Sequence, residues 1–229
     1  MSLPPLLVAT RSVGKLKELM PLLESFGLRG ETLDSAGIPE SEGEQDVEAF
    51  DTFEANAMAK ARWFSRLAPG RLVLADDSGL VVDALHGAPG VASKRWSERP
   101  DLTGLALDAE NNRTLLAALD GAATAGDTRR SAAYVCAAVC FGNGVELVAV
   151  GETRGTILYE PRGTGGFGYD PYFLSADLKC SFAEVSREEK AHVSHRGRAF
   201  RALLQRLVAH ERIPAENFRG PVDPMREPG

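Results

Sequence analysis

The stretch 71-RLVLADDSGL-80 places an acidic pair directly after a compact apolar run. Its first five residues, Arg71 to Ala75, predict a β-strand, because a short apolar run bounded by polar residues is typical of a buried strand. We expect this strand to deliver Asp76, Asp77 and Ser78 at its carboxyl end, where open α/β sheets bind their ligands. Two adjacent carboxylates repel each other unless a cation compensates them, and Mg²⁺ is the simplest such cation. The alternative is that the pair caps and solvates a turn.

The N-terminal region has the order strand, polar loop and helix. Leu6 to Ala9 is a short apolar run, and an apolar helical period begins at Lys15. This order brings the N–H groups of a helix start together with the Lys15 ammonium, which suits a phosphate group. The candidate phosphate-binding residues are Thr10, Arg11, Ser12, Val13, Gly14 and Lys15. The segment lacks the Gly-x-x-x-x-Gly-Lys-Ser/Thr pattern of the P-loop, which disfavours the usual nucleotide kinase, and a solvated loop stays the alternative.

An acidic segment and a second helix follow. Residues 31 to 51 are rich in Asp, Glu and Gly and predict a strand end and then an irregular loop. Thr52 to Leu67 predicts a helix, and this helix carries Lys60. Its expected buried stripe consists of Phe53, Ala57, Ala61 and Phe64.

The middle of the chain predicts one more helix and several strands. We expect a further apolar strand piece over Val81–Leu85 and a helix over Ala109–Leu119. Strand-like segments then cover Ser131–Phe141, Glu146–Thr153 and Gly155–Leu158. The connections between these three are too short for a crossover helix, so we expect antiparallel pairing. The expected fold class is therefore α/β with a mixed sheet.

Two segments nearer the C-terminus carry further candidate binding residues. Gly163 to Pro171 reads GTGGFGYDP, and its four glycines let the backbone approach a planar ligand that stacks on Phe167. Ser186 to His210 predicts a helical region interrupted near Ser194–Gly197. The potentially cationic side chains of this region are Lys190, His195 and Arg196. The alternatives are a long hairpin connection packed by aromatic rings and a solvated helix face.

The composition is that of an ordinary globular protein. The chain has 229 residues, of which 44% are hydrophobic and 25% charged, and its net charge of -6 disfavours nucleic acid as a partner. Three cysteines without metal spacing, and an N-terminus without a signal-peptide pattern, predict the cytoplasm. No stretch approaches a membrane span, so we expect no membrane partner. We expect one domain over residues 1–210 and a proline-rich tail over 211–229.

Four motifs in this order make the chain resemble the inosine/xanthosine triphosphate pyrophosphatase family. They are Ala-Asp-Asp-Ser-Gly-Leu at 75–80, Gly-Ala-Pro-Gly-Val at 87–91, Gly-Thr-Gly-Gly-Phe-Gly-Tyr-Asp-Pro at 163–171 and Ser-His-Arg-Gly at 194–197. The resemblance extends from Leu6 to about Leu207. It implies an elongated mixed sheet with flanking helices, two lobes around a central nucleotide-binding cleft, a homodimer and Mg²⁺ dependence.

The resemblance also implies a role for each candidate residue. Asp77 would be the metal-associated catalytic base, with Lys60 near the phosphates and Ser78 in contact with substrate. Thr10 to Lys15 would hold the triphosphate. The nucleoside side of the pocket would consist of Phe167, Gly168, Tyr169, Asp170, Lys190, His195 and Arg196, the last two recognising the base.

Three positions depart from the pattern of the family. Arg11-Ser12 stands where the family usually has Gly-Asn, so a shorter hydroxyl replaces an amide at the phosphate loop. Ala55 stands where the family often has a glutamate on the second helix, and the acidic loop before that helix is longer than usual. The second metal carboxylate is therefore assigned to Glu40 by its Ile-Pro-Glu context, with Glu42 as the alternative.

The activity that the resemblance implies is hydrolysis of inosine, deoxyinosine and xanthosine triphosphates to monophosphate and pyrophosphate. A phosphomonoesterase or kinase acting on nucleotides would use the same acidic pair for magnesium. A nucleotide-binding regulatory domain without turnover is the third alternative. The identity of the product separates all three.

Overall fold

The computed structural model describes residues 4–212 of the chain. Its strands are β1 Leu6–Val8, β2 Gly30–Thr32, β3 Val73–Val82, β4 Ser131–Gly142, β5 Val145–Ile157 and β6 Phe173–Ser175. Its α-helices are α1 Val13–Ser25, α2 Phe53–Leu67, α3 Gly104–Thr124, α4 Arg187–Val193 and α5 His195–Arg212. Three 3₁₀ turns cover Glu42–Val47, Asp83–Leu85 and Gly90–Arg95.

The six strands form one mixed sheet in the order β2-β1-β3-β4-β5-β6. β1 runs parallel to both β2 and β3, whereas β3, β4, β5 and β6 pair antiparallel. The prediction of an α/β fold with a mixed sheet is confirmed. The long β4–β5 hairpin turns at Asn143 and Gly144, both of which have a positive φ.

The acidic pair lies in the middle of a strand, so the prediction that a strand ends at Ala75 is wrong. β4 pairs with every residue of β3, from Val73 opposite Phe141 to Val82 opposite Ala132, and this ladder runs straight through Asp76 and Asp77. A strand tolerates the two carboxylates because each one finds polar partners on its own face of the sheet.

Two predicted strand pieces, Glu146–Thr153 and Gly155–Leu158, are parts of the single strand β5. Gly155 does not break the strand. A Cβ at this position would lie 2.4 Å from the Leu174 carbonyl oxygen and 2.6 Å from the Phe173 ring. The glycine therefore permits the close approach of β6.

Helices pack on both faces of the sheet. α1 and α5 cover one face, and their core includes Leu19, Phe200 and Leu203. α2 covers the other face through Ala57, Ala61 and Phe64, three of the four residues of its predicted stripe. A third apolar cluster joins α3 to the β6 end of the sheet. Within residues 4–212, no helix combines the length and the apolar character needed to cross a membrane.

The helices agree with the predictions except in their bounds. α2 begins after the N-cap Thr52, whose hydroxyl accepts a hydrogen bond from the Ala55 amide. α3 extends well beyond Ala109–Leu119 at both ends. The interruption in the last helical region is confirmed and falls at Ser194, between α4 and α5. Most of the predicted tail, residues 213–229, lies outside the described residues.

Candidate active site

A cavity of about 580 Å³ collects most of the candidate residues, a size typical of small-molecule sites. Its wall is built from the loop before α1, the acidic segment, α2, β3, the start of α3, the glycine-rich loop, and α4 with α5. The predicted residues that line it are Thr10, Arg11, Ser12, Gly14, Lys15, Glu40, Lys60, Asp77, Ser78, Phe167, Gly168, Tyr169, Asp170, Lys190, His195 and Arg196. Val13 is 62% exposed and does not line the cavity.

Asp76 is fully engaged by cations inside the protein. Its Oδ2 lies 3.0 Å from Lys15 Nζ and 3.1 Å from Arg196 Nε, and the residue is 1% exposed. Burial alone would raise the pKa of Asp76, but the charges of Lys15 and Arg196 outweigh it and hold the pKa well below its usual range. Asp76 is therefore a permanently charged structural anion.

Asp77 has a different environment. Its Oδ2 accepts a hydrogen bond from Asn56 Nδ2 at 3.0 Å, and its Oδ1 accepts one from the Ser78 amide at 2.9 Å. It forms no ion pair with any lysine or arginine of residues 4–212. Burial raises the pKa of Asp77; Lys15 opposes this effect, and the nearby carboxylate of Glu48 adds to it. Asp77 thus keeps a carboxylate that can bind a cation or accept a proton.

Two lysines converge beside this acidic pair. Lys15 Nζ lies 3.4 Å and Lys60 Nζ 2.9 Å from the backbone carbonyl oxygen of Asp76. Burial lowers the pKa of Lys15, and the charge of Lys60 lowers it further. Two ammonium groups at the N-terminus of α1 make this end of the cavity suited to a polyanion.

Glu48 is a site residue that sequence reasoning missed. Its carboxylate forms an ion pair with Lys60, whose ammonium donates to the Asp76 carbonyl, and its charge raises the pKa of Asp77. Glu40, the predicted second carboxylate, is exposed at the cavity wall, and Glu42 is exposed and does not line the cavity. The sequence offered one signal for Glu48, which is its position a few residues before Thr52, the N-cap of the helix that carries Lys60.

His195 and Tyr134 form an aromatic part of the cavity lining. The rings of His195 and Tyr134 stack with centroids 4.6 Å apart and an interplanar angle of 8°. Burial, together with the charge of Arg196, holds the pKa of His195 well below its ordinary value, so the imidazole is neutral. Its buried Nδ1 has no hydrogen-bond partner among the described residues. A neutral ring nitrogen of this kind can contact a polar group of a bound base.

Lys190 and Arg196 are paired with carboxylates rather than exposed to the cavity as unpaired cations. Lys190 Nζ lies 2.6 Å from Asp170 and 3.0 Å from Glu18. Arg196 lies 2.5 Å from Glu18, and its Nη2 donates to Ser78 Oγ at 2.7 Å. Glu18, which the sequence did not single out, thus joins the two predicted base-side cations.

The glycine-rich loop is held by side chains of α3. The Gly168 amide donates to Asp108 at 2.8 Å, and the Gly168 carbonyl accepts from Asn112 at 2.9 Å. The Tyr169 hydroxyl donates to the Ser93 carbonyl at 2.7 Å. Phe167 lies against the start of α1, because a Cβ on Gly14 would be 3.0 Å from its ring. This loop therefore packs against the start of α1.

Residues 6–206 match the family model of the Ham1 family. The chain belongs to the Ham1 family. A Frankia alni protein named dITP/XTP pyrophosphatase is 45% identical to it over 201 residues, covering 87% of this chain and 95% of that protein. A Mycobacterium tuberculosis protein of the same name is 47% identical over 207 residues, covering 88% and 94%. The solved structure of a HAM1 protein from Coxiella burnetii superposes with a TM-score of 0.76 at 34% identity, covering 91% of this chain and all (100%) of that one.

Membership in the Ham1 family confirms the resemblance inferred from the four motifs. In the structure, the first two motifs pack together. A Cβ on Gly79 would lie 2.3 Å from the Gly90 carbonyl oxygen and 2.5 Å from Ser93 Oγ, so only glycine permits this contact. The third and fourth motifs meet where the Arg196 guanidinium lies 6.0 Å from the centroid of the Phe167 ring.

The described residues contain no group of three or more His, Cys, Asp or Glu side chains that could hold a metal ion by themselves. The unpaired Asp77 with neighbouring Glu48 offers two carboxylates instead. Mg²⁺ is commonly bound by one or two carboxylates, with waters and substrate phosphate completing its coordination. The donor set of this Ham1-family chain fits a hard divalent cation.

Proposed function

We propose that this chain hydrolyses dITP, ITP and XTP to the nucleoside monophosphate and pyrophosphate and so removes these purine nucleotides from the cellular pool. The observation that carries the proposal is the set of groups that one cavity brings together. Two lysines, the unpaired Asp77 and a neutral His195 with an unpartnered nitrogen line the same cavity. The homologues named dITP/XTP pyrophosphatase are 42–47% identical over most of the chain.

The triphosphate would bind at the start of α1. Ser12 is the N-cap of this helix, and its hydroxyl accepts a hydrogen bond from the Lys15 amide. The other N–H groups at the start of the helix are then available to an anion. Thr10, Lys15 and Lys60 would contact the phosphate oxygens. The lysine charges would also stabilise the negative charge that develops on the phosphate in the transition state.

Asp77 would orient and deprotonate the water that attacks the α-phosphate in line. A base needs a pKa nearer the working pH than that of an exposed aspartate, and burial and Glu48 both raise the pKa of Asp77. Asp77 with Glu48, or with the originally predicted Glu40, would hold Mg²⁺, which supplies neutralising charge to the phosphates when bound. Asn56 and the Ser78 amide hold the Asp77 carboxylate in one orientation.

The base would lie beside the aromatic rings of the cavity lining, Phe167 and Tyr134. Hypoxanthine and xanthine present a 6-keto acceptor and an N1–H donor, the reverse of the pattern of adenine. A buried pocket that satisfies one pattern leaves groups unpaired with the other, and such mismatches discriminate by about 10⁴-fold or more. Asp170, Lys190, Arg196 and the neutral His195 are the polar groups available to make this distinction.

The sheet and its helices would form two lobes of one domain over residues 1–210, with the nucleotide cleft between them, and 211–229 would be an appended tail. We propose a cytoplasmic homodimer without nucleic-acid or membrane partners. Light scattering of the purified protein measures the oligomeric state directly.

The decisive experiment compares dITP, ITP and XTP with ATP and GTP in the presence of Mg²⁺, with chromatography of the products. Monophosphate and pyrophosphate in equal amounts, formed much faster from the first three substrates, is the expected result. Diphosphate with orthophosphate would indicate the phosphohydrolase alternative, and binding without turnover would indicate a regulatory domain. Asp77→Asn protein serves as the control for contaminating activity.

A further inference from the structure

Arg11 contacts the acidic segment rather than pointing unpaired into the phosphate end of the cavity. Its Nε and Nη2 each donate to Glu44 at 3.1 Å, and its Nη1 donates at 3.0 Å to Asp34 and at 3.0 Å to the Ile38 carbonyl. A guanidinium has five N–H donors, so these contacts occupy four of them. The two-point contact with Glu44 is the strong, directional form of an arginine–carboxylate pair.

The charges around Arg11 also disfavour a role as a phosphate clamp. One positive guanidinium faces the two negative carboxylates of Glu44 and Asp34, so the group carries no surplus positive charge. A phosphate would have to displace Glu44 to gain a bidentate contact. The Glu44 side chain is only 16% exposed, and the pair raises the pKa of Arg11, with Glu44 as the largest cause.

The segment that Arg11 contacts is also attached through Glu48, which pairs with Lys60, and through the Phe50 backbone, which hydrogen-bonds the Asn56 amide group. Leu33 and Ile38 anchor its beginning in the core, and α2 begins after it at Phe53. Between residues 39 and 52, none of the side chains that the structure describes is buried. The segment is therefore held mainly by polar contacts and by the Trp63 ring, which lies 3.0 Å from where a Cβ on Gly43 would be.

Glu48 is at the far end of this segment, next to the reacting groups. The 3₁₀ turn Glu42–Val47 leads directly into it, and Glu48 pairs with Lys60 and influences Asp77. A short turn transmits the position of Glu44 to Glu48 because few backbone torsions separate them.

We propose that Arg11 is a positioning residue. Through Glu44 it holds residues 42–48 of the acidic segment in place and thereby positions the Glu48 carboxylate beside Lys60 and Asp77. The effect on turnover rests on the proposed function. The positioning of the acidic segment by Arg11 does not depend on the proposed function. Loss of either partner removes the Arg11–Glu44 contact, and loss of Arg11 also removes its contacts with Asp34 and the Ile38 carbonyl.

The test compares wild-type protein with R11Q, E44Q and the R11Q/E44Q double variant, all as the full chain. Hydrogen exchange of the amides of residues 42–50 is measured without ligand. We expect exchange to rise about 10-fold or more in each single variant, because a charge-assisted pair closes a local opening. The double variant should resemble R11Q, since R11Q already removes the contact that E44Q disrupts. R62Q, which removes the exposed Arg62–Glu146 pair on another face of α2, should leave exchange in this segment unchanged.

The second measurement is the Mg²⁺ concentration that gives half-maximal dITP hydrolysis. We expect it to rise about 10-fold in R11Q and E44Q alike, as is typical when a group that orients a metal ligand is lost. If Arg11 is instead a phosphate ligand, R11Q raises and E44Q lowers the KM for dITP, and exchange stays at the wild-type level. That result overturns the proposal, as does increased exchange with an unchanged Mg²⁺ requirement. If R11Q does not fold, R11K is compared with E44Q instead. A wild-type protein that is inactive on dITP contradicts the proposed function, and the hydrogen-exchange measurement still tests whether Arg11 holds the acidic segment.

Discussion

Asp76 and Asp77 are neighbours in the chain, yet they face opposite sides of β3 and have opposite electrostatic surroundings. Asp76 points to the α1 and α5 side, where Lys15 and Arg196 neutralise it. Asp77 points to the α2 side, where Asn56 donates a hydrogen bond and Glu48 adds negative charge. The alternation of side chains along a strand therefore separates a structural carboxylate from a reactive one.

Replacing the reactive carboxylate should abolish most turnover without unfolding the protein. Asp77→Asn keeps the shape and removes the charge and the base, so we expect kcat for dITP to fall at least about 10²-fold. The pKa of Asp77 is raised in the fold, so its charged form destabilises the protein at neutral pH, and Asn should preserve or raise the thermal stability of the metal-free protein. Near-normal turnover in this variant would mean that the base is another residue.

The neighbouring substitution should act on stability. Asp76→Asn leaves the buried Lys15 and Arg196 cations without their shared anion, and breaking such a buried pair costs about 3–5 kcal/mol. The pKa of Asp76 is depressed, so its contribution is present above the ordinary value of 3.8 and fades as the pH falls below it. Urea unfolding at neutral and acidic pH should show the difference from wild type shrinking in acid. Asp101→Asn, which removes the exposed pair with Arg99, is the control and should change stability little.

The second metal carboxylate can be assigned by two isosteric variants. Glu48→Gln should raise the Mg²⁺ concentration for half-maximal activity by at least about 10-fold, because even a group outside the coordination shell typically contributes that much. Glu40→Gln should change it little, since Glu40 is exposed at the cavity wall. The reverse ranking, measured by titrating Mg²⁺ at saturating dITP, would return the role to Glu40.

The buried histidine should remain neutral wherever the enzyme works. His195 has a pKa held well below 6.5 by burial and by the charge of Arg196. Its ring signals in an NMR titration should therefore not shift across the pH range around 6.5, and comparison with a His195→Asn spectrum assigns them. A titrating signal that disappears in this variant would contradict a neutral base-recognition group.

The thiols should be dispensable for chemistry. Cys136 and Cys140 are 0% exposed in the sheet core, and burial raises the pKa of the Cys136 thiol, which suppresses its reactive thiolate form. We expect the triple replacement of Cys136, Cys140 and Cys180 by Ala to keep kcat and KM for dITP close to wild type. Loss of turnover in a triple variant whose circular dichroism matches wild type would reveal a thiol role.

Much of the fold was predictable because local signals were strong. The Thr52 cap and the apolar stripe predicted α2, and the short connections predicted the antiparallel β4–β5 pair. The error at Ala75 has a physical cause. Two adjacent carboxylates resemble a strand end unless the cations that accompany them are known, and Lys15 and Arg196 lie 61 and 120 residues away in sequence.

The features of the candidate site also divide into those that the sequence determined and those that only the tertiary structure decided. The sequence alone determined the family and most cavity-lining residues, since the four motifs combine residue types at spacings that local backbone geometry requires, such as Gly79 under the Gly90 carbonyl. Only the tertiary structure decided how the charges pair: Arg11 with Glu44, Lys60 with Glu48, and Glu18 with both Lys190 and Arg196. Electrostatic interactions depend on distance through space and on burial, and neither quantity can be obtained from separation along the chain.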